Sequence, residues 1–343
     1  MGRYIIRRLL QAIPLLFIIS IVLFVLMQNI GDPLATMGGR RPTRKEDRER
    51  LTRQLGLDKP VYVQYLYWLI GNDWTKVDLD GDGVAETQGR RKGVLRLDFG
   101  TSLIEKRPAL TLIGERLPNT LLLMGAYELV VVIGALAVGI YSAVRQYSLT
   151  DHAITALSFI FYSMPIFFIA FLSMQIFALD FRRWGLPYFP TVGMFEPETG
   201  KTAGQVAWHM ILPVASLALI SLAGYSRYMR GSMLEVLNQD YIRTAKSKGL
   251  GRRYVLLVHA LKNASLPIVT IVGLDLPTLL GGAIVTERIF AWPGMGRLFL
   301  DHVQRVDTPV VMAILMLVSV AVIIFQLLTD ITYAWLDPRI RYD

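Results

Sequence analysis

The chain has 343 residues, 53% hydrophobic and 18% charged, with no cysteine, whereas a soluble domain of this size carries charge nearer a quarter. That composition excludes a disulfide-framed secreted domain, a disordered chain, a collagen-like repeat and any thiolate metal site. Lys and Arg number 36 against 27 Asp and Glu, a net +9 that is read here as membrane topology rather than as a nucleic-acid footprint, leaving a polytopic membrane protein.

A spanning helix needs about 20 apolar residues, because a rise of about 1.5 Å per residue must cross a hydrocarbon core of about 30 Å. The first such stretch, Leu9 to Gly31, follows Arg3, Arg7 and Arg8. It is too long for a secretory signal core and lacks a small-residue cleavage site, so it reads as a retained span with a cytoplasmic N-terminus. A large extracytoplasmic loop from Asp32 to Arg116 comes next. Within it, Thr43 to Leu57 is highly charged with Leu51, Leu55 and Leu57 near one helical face, which predicts a short surface helix stopped by Pro60. Val61 to Ile70, with Tyr62, Tyr65, Tyr67 and Trp68, is an amphipathic stretch suited to the outer headgroup level.

Asp78, Asp80 and Asp82 then alternate ahead of Gly83, with Val84 at the seventh position and Glu86 at the ninth. Calcium loops supply oxygens in this spacing, the seventh from a backbone carbonyl. The twelfth position is Gly89 rather than a bidentate glutamate, so the pattern is that of a shorter calcium loop. The same residues equally suit a solvated Asp/Gly turn.

Five more spans follow: Leu117 to Val144, Ala153 to Leu179, Val206 to Ser226, Ala264 to Thr286 and Thr308 to Thr329. Glu128 interrupts the second span and Asp275 the fifth. A carboxylate inside a span is costly unless it faces the bundle interior or water, so these two either line a pathway or hold helices together as buried, hydrogen-bonded acids. All six tryptophans fall in loops or near span ends, where interfacial rings collect. The segment Arg227 to Lys262 carries eight Arg and Lys against two acids, as expected of a cytoplasmic loop. The C-terminus then lies inside as well. The predicted fold is an all-α polytopic bundle of six transmembrane helices: residues 1–31 form the start and first span, 32–116 the outer loop, and 117–343 a core with a cytoplasmic loop at 227–263.

Ser232 to Leu250 reads SMLEVLNQDYIRTAKSKGL, and Val255 to Pro267 reads VLLVHALKNASLP. With the N-terminal RYIIRRLLQAIP, Leu55-Gly56-Leu57-Asp58-Lys59-Pro60, Asp98-Phe99-Gly100-Thr101-Ser102, Ser163-Met164-Pro165, Thr286 to Phe290, Trp292 to Arg297 and Asp337-Pro338-Arg339, this order of motifs resembles the permease subunits of ATP-binding-cassette importers. More narrowly, it is similar to the B-type inner-membrane permease of the dipeptide, oligopeptide and nickel branch. Where the broader pattern has Glu-Ala-Ala and a later glycine, this chain has Arg243-Thr244-Ala245 with Gly249 in register. Arg243 leaves the glutamate's role unfilled, and the late Leu266-Pro267 resembles the peptide-permease variant.

The resemblance implies a type I, MetI-like permease fold with an insertion between the first two spans. It implies a coupling helix formed by Asp240, Tyr241, Arg243, Thr244, Ala245, Lys246, Lys248 and Gly249, seated on an ATPase subunit. Small residues Ala245, Ser247 and Gly249 would allow close approach, with basic neighbours fixing register; an ordinary positive-inside loop accounts for the charge alone. Glu287, Trp292, Pro293, Gly294 and Gly296 would contribute to an outer gate or to binding-protein contact, or form a Gly/Pro-marked connecting loop.

The implied partners are a homologous second permease, two ATPases that carry ATP and magnesium, an extracytoplasmic solute-binding protein and membrane lipid. No cofactor is expected on the chain itself, the outer-loop calcium aside. No phosphate loop, H-E-x-x-H or G-x-S-x-G occurs, and the four histidines show no paired ligand spacing, so the chain is not expected to be an enzyme. The expected solutes are di- and oligopeptides, with nickel chelates or oligosaccharides as alternatives. A proton-coupled secondary transporter using Glu128 and Asp275 is the rival from another class; no internal repeat supports it.

Overall fold

The computed structural model describes residues 2–31, 34, 45–78 and 84–336. The first expected span is helix α1 (Gly2–Ile30). The charged stretch forms α2 (Lys45–Leu55) and the aromatic stretch α3 (Val61–Ile70). A two-stranded antiparallel hairpin follows, β1 (Lys76–Val77) on β2 (Thr87–Gln88), with Lys76 opposite Gln88. The second span, α4 (Ala109–Val144), starts earlier than hydropathy alone places it.

The third span departs from expectation. Ala153 to Leu179 is not one rod but two helices, α5 (Leu149–Ser163) and α6 (Ile166–Arg183), bent by 106° at the break between them. Pro165 lacks an N–H and drives the preceding residue out of the helical region, and Met164 is accordingly extended at φ −85, ψ 135. At 15 residues, α5 is about 22 Å long at ~1.5 Å per residue, short of a hydrocarbon core of about 30 Å. With such a bend, only one arm can run along the membrane normal.

The fourth span is α7 (Ala203–Leu237), capped by the Thr202 hydroxyl, which accepts the Gln205 N–H. A short helix α8 (Asp240–Ser247) follows. The fifth expected span, Ala264 to Thr286, is also redrawn. Ala264 ends α9 (Arg252–Ala264), a 47° bend leads into α10 (Leu266–Gly281), and Thr286 belongs to a separate α11 (Ile284–Ile289). Helices α12 (Met295–Val303) and α13 (Thr308–Leu336) complete the described residues, the latter being the sixth span. Among the described residues, four helices are thus long and apolar enough to cross a membrane unbroken, and six spans result when each bent pair counts as one.

The described residues fall into two compact units, one built on Pro118–Arg297 with the described parts of Met1–Ile5 and Ala321–Asp343, the other on Ile6–Leu117 and Leu298–Val320. In the second unit, Phe24 and Met27 of α1, Trp68 of α3 and Val311, Met312 and Met316 of α13 form one core. Sequence places α3 at the headgroups; in the structure its Tyr65 and Trp68 rings pack inward while Tyr62 stays exposed. Tyr65 sits edge-on to Phe24 at 5.4 Å, its hydroxyl is 2.8 Å from Ser20 Oγ, and Trp68 is only 4% exposed. Aromatic area of this size contributes more when covered by a neighbouring apolar helix than when left half wet. In the same unit Asp307 accepts the Ser102 hydroxyl at 2.5 Å and the Leu103 N–H at 3.0 Å, and lies 2.9 Å from His302 Nδ1. Burial raises its carboxyl, but the bonds from His302, Ser102 and Leu103 outweigh that and hold it below the usual carboxylate range.

The first unit has a core running through Leu123, Val131 and Ala135 of α4, Met229 and Met233 of α7, and Val255, Ala260 and Ala264 of α9. Ile242 and Ala245 of the short α8 belong to that same core.

Candidate functional site

Helix α8 carries most of the proposed coupling residues, and its two faces differ sharply. Ile242 and Ala245, three residues apart and therefore on one face, are 0% and 6% exposed. Asp240, Tyr241, Arg243, Thr244, Lys246, Lys248 and Gly249 are all exposed. This corrects the expected role of Ala245: its small side chain seats α8 on the chain's own core and leaves no surface for a partner. Tyr241 adds a tie on the same side, its hydroxyl accepting the Asn263 Nδ2–H at 2.9 Å.

Asp240 in the first turn and Lys246 in the last both suit the helix dipole. Gly249 stands just past the cap with φ +76, and its N–H donates to the Lys246 carbonyl at 3.0 Å. A side chain there would be strained, and among the described residues, its two chain neighbours aside, no atom lies within 4 Å of where its Cβ would sit. Beside the helix, Val144, Leu237, Lys246, Leu250 and Arg252 border an open cavity of about 560 Å³.

Asp151, which the sequence reading passed over, anchors the structure around this loop. It is 2% exposed, accepts the Ser142 hydroxyl and the Tyr147 N–H (2.9 Å), and takes both Nε (2.9 Å) and Nη2 (2.8 Å) of Arg230. One carboxylate thereby joins the end of α4, the start of α5 and the last turns of α7. Hydropathy starts the third span at Ala153 and counts Arg230 as one more loop cation. The signal that finds Asp151 is Ser148-Leu149-Thr150-Asp151, an S/T-x-x-D/E helix start; Ser148 Oγ indeed accepts the Asp151 N–H at 3.2 Å.

Glu128 and Asp275, read separately in sequence, come together on Tyr225 of α7. Its hydroxyl lies 2.5 Å from Asp275 Oδ2 and 3.4 Å from Glu128 Oε1. Glu128 is 6% exposed, and its Oε2 is buried with no hydrogen-bond partner among the described residues. The neighbouring Tyr127 hydroxyl donates to Ser221 at 2.7 Å. The arrangement clasps α4, α7 and α10, which favours the bundle-interior reading of both acids. Tyr225→Phe removes the shared donor and faces two carboxyls across an apolar edge. It is expected to cost about 1–3 kcal/mol, seen as a lower Tm of the solubilised protein; an unchanged Tm would dismiss the clasp.

Of the outer-gate candidates, Glu287 and Trp292 are both 0% exposed. Glu287 accepts the Thr120 hydroxyl and the Arg297 N–H, each at 2.9 Å, while Thr120 Oγ also accepts the Met295 N–H at 2.6 Å. Trp292 Nε1–H donates to the Asn119 carbonyl at 3.0 Å, and Asn119 Nδ2–H donates to the Pro293 carbonyl at 2.9 Å. Burial pushes the Glu287 carboxyl above its usual range against the pull of its hydrogen bonds. Gly294 must be glycine, because a Cβ there would collide with that carboxyl. The segment is thus a sharp hairpin pinned to α4, as its Gly and Pro suggested. In this chain Glu287 and Trp292 are its fastening; they present no surface. Trp68 and Trp292, both buried, also depart from the interfacial placement expected of the tryptophans.

Of the candidate calcium ligands, Asp80 and Asp82 lie outside the described residues, while Asp78, Val84 and Glu86 fall between β1 and β2.

Comparison with known proteins covers nearly the whole chain. The family described as binding-protein-dependent transport system inner membrane component matches residues 135–342, and its N-terminal counterpart matches residues 1–124. The oligopeptide transport system permease protein AppB of Bacillus subtilis is 41% identical, covering 100% of both chains. The dipeptide transport system permease protein DppB of Escherichia coli K12 is 37% identical over 100% of this chain and 99% of its own. The glutathione transport system permease protein GsiC of Escherichia coli is 34% identical over 100% of both. With six spans, a buried hairpin after the fifth and a basic helix between the fourth and fifth, this chain belongs to the binding-protein-dependent transport system inner membrane components, the permease subunits of ATP-binding-cassette importers.

Proposed function

We propose that this non-catalytic subunit forms half of the pathway of an ATP-driven importer for di- and oligopeptides, paired with a second, homologous permease. One of two ATPase subunits would dock on the exposed face of α8 and the other on the second permease, and a solute-binding protein would deliver peptide on the opposite side, with both chain termini in the cytoplasm. The observation that carries this reading is α8 itself: one face locked into the core of the spans, the other basic, exposed and ended by an open glycine. A partner closing on that face would move the spans with it, because Ile242 and Ala245 share their core. ATP binding would bring the ATPases together, and α8 would transmit the closure into an inward-to-outward turn of the bundle. The relatives named for oligopeptide and dipeptide transport support the choice of solute.

Reconstitution into proteoliposomes tests the reading. Tripeptide uptake is expected only with the second permease, the ATPases, the binding protein and ATP together. Uptake by this chain alone under a pH gradient would replace the importer with the proton-coupled alternative.

A further inference from the structure

Arg91, in the unit built on Ile6–Leu117, is fixed at its backbone and unanswered at its head. Its N–H donates to Asn72 Oδ1 at 3.0 Å and its carbonyl accepts the Asn72 N–H at 2.9 Å, with Asn72 itself 4% exposed. From there the side chain passes Gly100, where a Cβ would sit 3.4 Å from Nη2. The guanidinium carries five N–H donors, yet it has no hydrogen bond or ion pair among the described residues. Asp98 is the nearby counter-charge, but its oxygens are engaged by the backbone N–H groups of Lys92 and Gly100. Two further donors share this condition: Trp68 Nε1 and Thr308 Oγ1 are buried without a hydrogen-bond partner among the described residues.

These three residues line one cavity of about 70 Å³, whose other walls include Phe24, Met27 and Leu103. Arg91 and Leu103 also border an open cleft of about 520 Å³ that carries Arg50, Arg90 and Lys106 against Asp98. Arg91 itself is half-buried, but the two buried donors beside it are costly unless a matching group arrives, and no acid is bonded to its charge among the described residues. Water could accept the hydrogen bonds, but it leaves the charge uncompensated. A phosphate would set oxygens against Phe24 and Met27, whereas a carboxylate is flat, accepts a guanidinium bidentately and can bring an apolar substituent with it.

We propose that this cavity binds a carboxylate borne on an apolar group, as at the C-terminus of a short apolar peptide or the head of a fatty acid. Arg91 would take the charge, Trp68 and Thr308 would donate to the same oxygens, and the basic cleft would draw the anion in. The site goes beyond the transport reading and stands whether or not the importer carries peptides.

Calorimetric titration of the purified full chain in non-ionic detergent tests it, with N-acetyl-leucine, N-acetyl-leucinamide and octanoate as probes. Saturable binding of either acid, with the amide at least about tenfold weaker, is expected; the tighter of the two acids names the source. Arg91→Gln should weaken binding about tenfold or more. Trp68→Phe and Thr308→Val keep their shapes, and each should weaken it about fivefold, as for the loss of one hydrogen bond. These two also decide the matter if Arg91→Gln fails to fold. Absence of saturable binding below about 10 mM, equal binding of acid and amide, or unaltered affinity in the variants would overturn the site.

Discussion

Gly249→Glu is expected to reduce ATP-driven uptake in proteoliposomes at least about tenfold, the factor that accompanies the loss of roughly 1.4 kcal/mol at an interface, with the protein still inserted at normal level. Gly249 stands at φ +76 and faces open space, so the glutamate adds backbone strain and places bulk and negative charge where a docked partner would approach. Gly249→Ala separates the two effects, since it adds strain of about 1–2 kcal/mol with little bulk and no charge, and should give an intermediate loss. Ala245→Leu should behave differently. Ala245 is 6% exposed within the core, so the larger side chain overpacks the seat of α8 at a cost of about 1–3 kcal/mol, and Tm should fall along with uptake. Normal uptake and normal ATPase stimulation in Gly249→Glu would remove α8 from the docking surface.

Asp151→Ala should be the most destabilising single change in the first unit. It strips Arg230 of both charge-assisted bonds and leaves the Tyr147 N–H and the Ser142 hydroxyl without an acceptor. Breaking a fully buried pair from one side costs about 3–5 kcal/mol; Arg230 keeps 26% of its side-chain surface in contact with solvent, so the loss is expected near the lower end of that range. The double variant Asp151→Leu, Arg230→Met should recover much of that loss, because no charge is then left unpaired. Thermal unfolding of the two singles and the double closes the cycle; a coupling energy below about 0.5 kcal/mol would show that the pair does not hold α5 to α7.

The six spans were legible because length and apolar content decide them, and neither depends on where a helix bends. The bends were not. Met164-Pro165 and Ser265, two residues ahead of Pro267, sit inside apolar runs, and averaged hydropathy passes over a single proline that cannot donate a hydrogen bond. The charged face of α8 was legible from its basic run, but the side facing inward was misread at Ala245, since a small residue permits close approach to one's own core as readily as to a partner. Ile242, three positions earlier and fully buried, was the available clue. Glu128 and Asp275 were found by their cost inside a span, while Tyr225, which joins them, carries no such warning in a chain with 15 tyrosines. Arg91 was hidden among neighbouring cations, because nothing in Arg90-Arg91-Lys92 shows which of the three will line both the small cavity and the open cleft.

Helix α9 contains one further detail, a π-helical turn at Val255–Ala260. Such a turn holds about one residue more than an α-helical turn does. Were it to tighten to ordinary pitch, everything beyond it would swing by roughly 100° and shift by about 1.5 Å. It lies between α8 and the 47° bend into α10. The chain therefore keeps slack in the strut between the proposed docking face and its fifth span, where a push on α8 would be converted into rotation before it reaches the bilayer.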